Sequence, residues 1–502
     1  MLFFQTKFLL LFFPISVLGY FFLKRKVSSD FAYFFLILIS FIFYGLANKE
    51  YISLLFFSIS INIIFYKLIS SFKKRYLLFL IISVNLGILF YYKYLLFAFS
   101  LIKADFLINA SLLADSLPIG ISFFTFQQIA YQVDRYNHKE SKCRVLDYFL
   151  FVSFFPQLIA GPIIKFRKVI PQFSENIKFK ISENFALGST IFMIGFFKKV
   201  FLADPLSEYT NIIFEIDSYT QVKFFEAWFG ALAFTLQIYF DFSGYTDMAI
   251  GIAKFFNVNL PTNFLSPYKS TNIINFWRNW HITLSNFLRD YLYIPLGGNK
   301  NGIVSRNINL LTTMLIGGLW HGASLNFVFW GGIHGLLLLV SHYLKNSFNF
   351  LNEKFKIFFT FIIIIVTWVP FKASSFNDTL VIWSAMFGFE KISFPTKFVF
   401  LEKYTNASPI LKDFIIYDGV MGDQFNFYYL LYYCIVGSLI VFFFPNTNTI
   451  SKNFFNNSKS SIFDNYLMCK PNFIWSLIFS IIFVLGIFIV NKQPTNFIYY
   501  DF

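Results

Sequence analysis

Two histidines are the residues in this chain best suited to chemistry. His281 ends the run Phe276-Trp277-Arg278-Asn279-Trp280-His281, and His321 sits in Gly318-Leu319-Trp320-His321-Gly322-Ala323. A neutral imidazole takes up and returns a proton near pH 7 more readily than other side chains. Both lie in a very apolar chain, where a polar group is kept at membrane depth only for a structural or functional use. The pairing points to proton-transfer chemistry in a membrane enzyme. Each histidine also has a plainer reading: His281 as part of a surface anchor, His321 as a hydrogen-bonded packing residue. The small residues Gly317, Gly318, Gly322 and Ala323 around His321 favour the close approach of a helix or a ligand.

The remaining polar residues at membrane depth are fewer and more ambiguous. Asp241 and Asp247, in Tyr239-Phe240-Asp241-Phe242-Ser243-Gly244-Tyr245-Thr246-Asp247, approach the inner end of an apolar window. A carboxylate there should pair or face a cavity, and Arg278 or Arg289 is the expected partner. Gln127, Gln128, Tyr131, Asp134 and Arg135 form a second polar stripe. His334 and His342 share an apolar helix, and His138 lies in a polar loop. No HExxH pair, cysteine pair or carboxylate cluster calls for a metal. Cys143, Cys434 and Cys469 are too scattered for a disulfide framework and read as packing residues. No GxSxG elbow or P-loop is present, and the glycine-rich stretch from Gly297 to Gly302 reads as a turn.

These residues must be held by membrane helices. Of the 502 residues 57% are hydrophobic and 13% charged, with 78 Phe and 29 Tyr, and the mean hydropathy is +0.61. About 20 apolar residues suffice to cross a bilayer, and such windows recur near 8–23, 31–47, 51–69, 76–99, 118–133, 185–203, 224–250, 304–320, 324–344, 356–372, 428–445 and 473–491. The fold expected is all-α and polytopic, with about 11–13 transmembrane or re-entrant helices around a central funnel. It forms a single membrane domain over 1–502, divided into N-terminal spans (1–110), a core (111–374) and a C-terminal outer loop with the last spans (375–502). The first window reads as a retained span rather than a cleaved signal.

The formal charge of +15 would suggest nucleic acid in a soluble protein. Here the cations sit in short clusters between spans, such as Lys24-Arg25-Lys26 and Lys73-Lys74-Arg75, so the positive-inside rule explains them and no nucleic-acid partner is expected. The rule puts the N-terminus outside, places 251–303 with the Lys178/Lys180, 345–356 and 446–471 loops in the cytoplasm, and leaves 375–427 outside. His321 then lies toward the outer half of the membrane and His281 starts from the inner half. Segment 145–164 ends at Ala160-Gly161-Pro162 and runs into Lys165, Arg167 and Lys168, which reads as a re-entrant hairpin. Apolar residues recur at helical spacing from Ile273 to Tyr291, with Arg278, Arg289 and Asp290 interleaved. This predicts one amphipathic helix at the interface.

The blocks YFDFSGYTDMAIG, PTNF, FWRNWHITLSNFLRDYLYIPLGGN and GLWHGASLNFVFWGGIHG, between Tyr239 and Gly335, closely resemble the membrane-bound O-acyltransferase superfamily, in particular its alginate and peptidoglycan O-acetylation branch. PIGISFFTFQQIAYQVDRY, FFPQLIAGPI and TWVPFKA extend the similarity over most of the chain, with Lys372 standing where arginine is commoner. The resemblance implies a funnel in which a cytoplasmic acyl thioester, most simply acetyl-CoA, meets a hydroxyl acceptor from the other face. It implies an extracytoplasmic polysaccharide (alginate-like exopolysaccharide or peptidoglycan) as the polymer acylated. His321 takes the place of the family's catalytic histidine and His281 that of its second motif histidine. Trp320, Asp241, Asp247, Lys269, Arg278 and Arg289 are candidate donor or substrate contacts, the last three being equally suited to lipid headgroups. The chain would sit in a bacterial cytoplasmic (inner) membrane among its lipids and work with a separate periplasmic SGNH-type acetyltransferase. D-alanyl transfer to a teichoic-acid-like polymer, a transporter and a scaffold are the other readings.

Overall fold

In a computed structural model the described residues are 2–102, 117–137, 143–173, 181–214, 222–344, 350–389, 392–395, 399, 402, 415–419, 427–454, 469, 471–492 and 497–498. The chain is a polytopic helical membrane protein. α1 (Phe8–Lys26), α2 (Ser29–Ala47), α3 (Lys49–Phe72) and α4 (Arg75–Leu101) are long, apolar helices. Their ends carry the expected chemistry: α1 stops on Lys24, Arg25 and Lys26, and the Ser28 side chain caps α2 by accepting from Phe31 N. Leu10, Leu18, Phe22, Phe31 and Phe34 point outward. In water such an apolar surface would be a liability, but against lipid it is the solvated face.

α5 (Ile121–Tyr136) is buried along most of its length. It is followed by α6 (Val145–Ser153), the short α7 (Phe155–Leu158) and, after an irregular stretch, α8 (Phe166–Val169). Residues 150–164 are buried throughout, on a path broken between α6 and α7. α9 (Ile181–Phe197) and α10 (Asp204–Phe214) are joined by a π-helical turn at Lys198–Ala203.

α11 (Phe224–Phe255) is the central pillar. Its 32 residues span about 48 Å at 1.5 Å per residue, and α9, α10 and the helices Glu353–Lys372, Phe376–Met386 and Phe427–Phe443 pack around it. After α11 comes the segment expected to be one helix at the interface. Instead, α12 (Ile273–Asn279) stops at Trp280, and α13 (Ile282–Leu288) starts anew after His281, which adopts left-handed backbone angles (φ 41, ψ 53). Trp280 and His281 are 1% and 0% exposed, so the segment dips into the protein rather than lying on its surface. The turn at Gly297–Gly302 forms as expected.

α14 (Gly302–His321) ends on the second histidine and packs along α15 (Leu325–Tyr343). Their backbones touch at paired glycines: a Cβ on Gly318 would lie 2.2 Å from Phe327 O and 3.1 Å from Gly331 Cα. α16 (Glu353–Lys372) contains Pro370, which removes the hydrogen bond to the Val366 carbonyl. The indole N–H of Trp383, on α17 (Phe376–Met386), donates to that oxygen at 3.0 Å. β1 (Ile392–Pro395) and β2 (Ile415–Gly419) make a short parallel pair within the expected 375–427 loop. α18 (Phe427–Phe443), α19 (Thr447–Asn453) and α20 (Phe473–Lys492) complete the fold. Every expected window thus falls on a helix, but among the described residues eight helices are long and apolar enough to cross a membrane, or nine if the bent pair Tyr428–Phe443 and Thr447–Asn453 is one span, fewer than the 11–13 expected. His138 and the Lys178/Lys180 loop, with parts of the 345–356, 375–427 and 446–471 loops, lie outside the described residues.

Candidate active site

His321 ends α14 and is 3% exposed. Its ring lies 5.0 Å from Trp320, 5.2 Å from Trp330 and 5.2 Å from Phe371, centroid to centroid. The terminal carbonyls of a helix need donors from outside, and α4 supplies them. Lys93 Nζ donates to Trp320 O at 2.7 Å and His321 O at 3.0 Å, and Tyr94 OH donates to Leu319 O at 3.0 Å. A cation at a helix C-terminus also suits the local dipole.

His281 reaches the same aromatic cluster from the other side, its ring 6.0 Å from Trp320 and 4.7 Å from Phe242. Its Nδ1 lies 3.1 Å from Asn263 Oδ1, which also accepts from Thr283 N (3.1 Å) and Thr283 Oγ1 (2.9 Å). The Thr283 hydroxyl in turn accepts from Ile163 N at 3.1 Å, tying the buried 150–164 segment to the broken helix. Nε2 of His281 is buried without a hydrogen-bond partner among the described residues. His334, fully buried, is a third histidine here: Trp277 Nε1 donates to its Nδ1 at 3.3 Å, and its ring is 4.8 Å from Trp330.

Two cavities flank this cluster. The first, about 260 Å³, is lined by Trp320, His321, Lys93, Asn48, Ser122 and Phe123 among others. The second, about 420 Å³, is lined by Lys165, Lys168, Asn286, Thr283, Phe287 and Tyr291 among others. Phe287 stacks on Phe126 (4.2 Å, 11°), and Phe126 stacks on Trp320 (5.6 Å, 24°). The three rings form a wall between the cavities, with His281 beside it.

The other candidate residues are placed elsewhere. Asp241 pairs with Lys199 at 2.8 Å and accepts from Ile498 N at 2.8 Å; Asp247 pairs with Lys198 at 2.6 Å and accepts from Thr447 Oγ1 at 2.7 Å. The expected pairing with Arg278 or Arg289 is therefore corrected: the lysines of the π-helical turn face α11 directly. Arg278 is exposed. Arg289 is exposed and pairs with Asp290, while Lys269 donates to Phe444 O at 3.0 Å. Lys269, Arg278 and Arg289 line neither cavity, and the cations at the second cavity are Lys165 and Lys168. Lys165 also bridges to Asp290 at 2.8 Å. Burial acts to raise the Asp290 carboxyl, but hydrogen bonds from Lys165 and Arg289 outweigh it and hold the group below its ordinary range.

Three residues of the polar stripe on α5 are bonded to neighbouring elements, Gln128 to Ser58, Arg135 to Ser70 and Asp134 to Tyr291. Among the described residues no cluster of histidine, cysteine and carboxylate side chains could hold a metal. The sequence reading missed Asn263, Thr283, Lys93 and the aromatic wall. The only sequence signal for Asn263 was its place in the short PTNF block.

The sequence model of the membrane-bound O-acyltransferase family matches residues 41–372. The chain is 40% identical to the peptidoglycan O-acetyltransferase of Helicobacter pylori over 438 residues, which cover 78% of this chain and 81% of the relative. It is 44% identical to a probable alginate O-acetylase of Pseudomonas putida over 277 residues, 54% of this chain and 56% of the relative. To the teichoic acid D-alanyltransferase of Bacillus subtilis it is 27% identical over 250 residues, 47% and 61% of the two chains.

Proposed function

This chain belongs to the membrane-bound O-acyltransferase family, and from that premise we propose that it carries acetyl groups from a cytoplasmic thioester, most simply acetyl-CoA, towards O-acetylation of extracytoplasmic peptidoglycan. The observation that carries this reading is the pair of histidines at one aromatic wall, with a separate cavity on each side of it. Similarity to the Helicobacter protein runs through more of the chain than similarity to the alginate O-acetylase, which favours peptidoglycan over an exopolysaccharide.

In this scheme the donor thioester approaches from the cavity of Lys165 and Lys168, whose charges suit phosphate groups. The acceptor hydroxyl enters the cavity that His321 lines. As its oxygen bonds to the acyl carbon, the O–H proton passes to an imidazole and the C–S bond breaks. The proton then goes to the departing thiolate, so that ester and thiol are the products and the protein is unchanged. His321 is the base, and His281, on the far side of Trp320, relays or orients. General-base assistance of this kind is worth about 10²- to 10⁴-fold. The immediate acceptor is a hydroxyl of a separate SGNH-type acetyltransferase on the periplasmic face of the inner membrane, which completes transfer to the glycan.

The test is the ester-linked acetate of peptidoglycan and of soluble polysaccharide from cells carrying the wild-type chain, His321→Ala or neither. Peptidoglycan acetate falling to the same low level in the variant and the deletion supports the reading. Undiminished acetate in His321→Ala, at equal membrane abundance, ends the base assignment. Loss of D-alanine esters in place of acetate would assign the chain to aminoacyl transfer.

A further inference from the structure

Asn263 lies in none of the roles given so far, yet it is fully buried and its side-chain oxygen is the meeting point of three donors. The orientation of its amide is fixed by chemistry. Thr283 N is a backbone donor and can only face an acceptor, so the atom it meets is the oxygen. The Thr283 hydroxyl receives Ile163 N–H, which leaves its own hydrogen to point at that oxygen as well. His281 Nδ1 is the third group there, and opposite an acceptor oxygen it must carry the hydrogen. Nε2 is then the ring nitrogen with the lone pair, and it is the one buried with no partner among the described residues.

The backbone adds a second constraint. Ile282 N donates to Asn263 O at 2.9 Å, so both the main chain and the side chain of Asn263 grip the break between α12 and α13. A left-handed conformation at a residue with a side chain costs roughly 1–2 kcal/mol, and His281 adopts one with its ring anchored on Asn263. Released from that anchor, the residue would gain by relaxing toward helical angles and the imidazole would turn away.

We propose that Asn263 is a positioning residue that fixes His281 as the Nδ1–H tautomer and presents Nε2 as a proton acceptor at the aromatic wall, with Thr283 and Ile163 N locking the amide. The proposal rests on the acyltransferase reading above and specifies how its second histidine works. No step needs a further reactant: the proton that Nε2 takes up is the one His321 removes from the acceptor hydroxyl, and it leaves on the departing thiolate.

The experiment compares Asn263→Leu, Asn263→Asp and Thr283→Val with wild type, His281→Ala and His321→Ala, using the full chain in its membrane. The readouts are wall-linked ester acetate in cells, and kcat and KM for thiol release from acetyl-CoA in inverted membrane vesicles, each per folded protein by detergent gel filtration. Asn263→Asp keeps an acceptor facing Nδ1, so it should stay within about tenfold of wild type. Asn263→Leu should lose about 10²-fold or more in kcat, on the scale of general-base assistance, with KM unchanged. Thr283→Val should fall between the two, and it decides the matter if the leucine variant does not fold. A leucine or valine variant at the wild-type rate, or aspartate and leucine variants equally inactive, overturns the role of Asn263 while the histidine controls keep the acyltransferase reading intact. Retained acetate in both histidine variants instead removes that reading and this inference with it.

Discussion

At the scale of single residues, the C-terminal end of α14 is capped by donors from another helix. His321 is the last residue of its helix, and its carbonyl and that of Trp320 depend on one ammonium group, Lys93 Nζ. A buried carbonyl left without a donor costs roughly 1–3 kcal/mol, and removing a favourable charge at a helix C-terminus adds up to about 2 kcal/mol. Lys93→Met keeps the apolar stem and removes only the donor. Its thermal midpoint in detergent should therefore drop by several degrees, and wall acetate should fall further than the loss of folded protein accounts for. An unchanged melt together with unchanged acetate would show that the helix end needs no cap from α4. Lys93 itself was not visible in the sequence as part of the site. It sits in a run of aromatic residues, far along the chain from His321, and nothing in local spacing links a lysine to a carbonyl on another helix.

At the scale of elements, the close contact of α14 and α15 determines where His321 stands. With Phe327 O only 2.2 Å from the Cβ that alanine would add at Gly318, Gly318→Ala must push the helices apart. Overpacking of this type costs about 1–3 kcal/mol, and the displacement falls one turn from His321, so transfer should drop at least tenfold. Gly87→Ala on α4 is the matched control, because nothing lies within 4 Å of its new methyl; it should be neutral or stabilising by up to about 1 kcal/mol. Melting curves and acetate assays of both variants check this, and equal effects would mean that the glycine pair is not a close-packing device. The helices were legible in the sequence because apolar windows of spanning length survive any tertiary arrangement. The break at Trp280–His281 was not, since the helical spacing of apolar residues from Ile273 to Tyr291 continues across it. The kink is imposed by Asn263, Thr283 and Ile163, contacts that no local pattern encodes. The partners of Asp241 and Asp247 were misassigned for a similar reason: Lys198 and Lys199 become their neighbours only because α9 lies along α11.

At the scale of the whole molecule, the positions of the two cavities follow from helix direction. α2 starts beside Asp30, which pairs with Arg144, and ends next to Asn48 at the first cavity. α5 starts beside Gly120 at that same cavity and ends near Arg135. Lys24 Nζ donates to Phe173 O, which brings the first basic cluster to the segment that carries Lys165 and Lys168. The basic ends thus lie on the side of the second cavity, and the first lies at the opposite ends of the same helices. If positive charge marks the cytoplasmic side, a membrane-impermeant maleimide added to spheroplasts should label a cysteine placed at Ser122 but not one placed at Gln172, which lines the second cavity. Permeabilisation should expose Gln172→Cys, while Cys434 and Cys469 are buried and Cys143 is only partly accessible, so a Cys143→Ser background keeps the signal clean. The reverse pattern would invert the chain in the membrane and place His321 on the donor side. Transfer from a cytoplasmic thioester to an external hydroxyl through the aromatic wall would then be untenable, even with both histidines still required for activity.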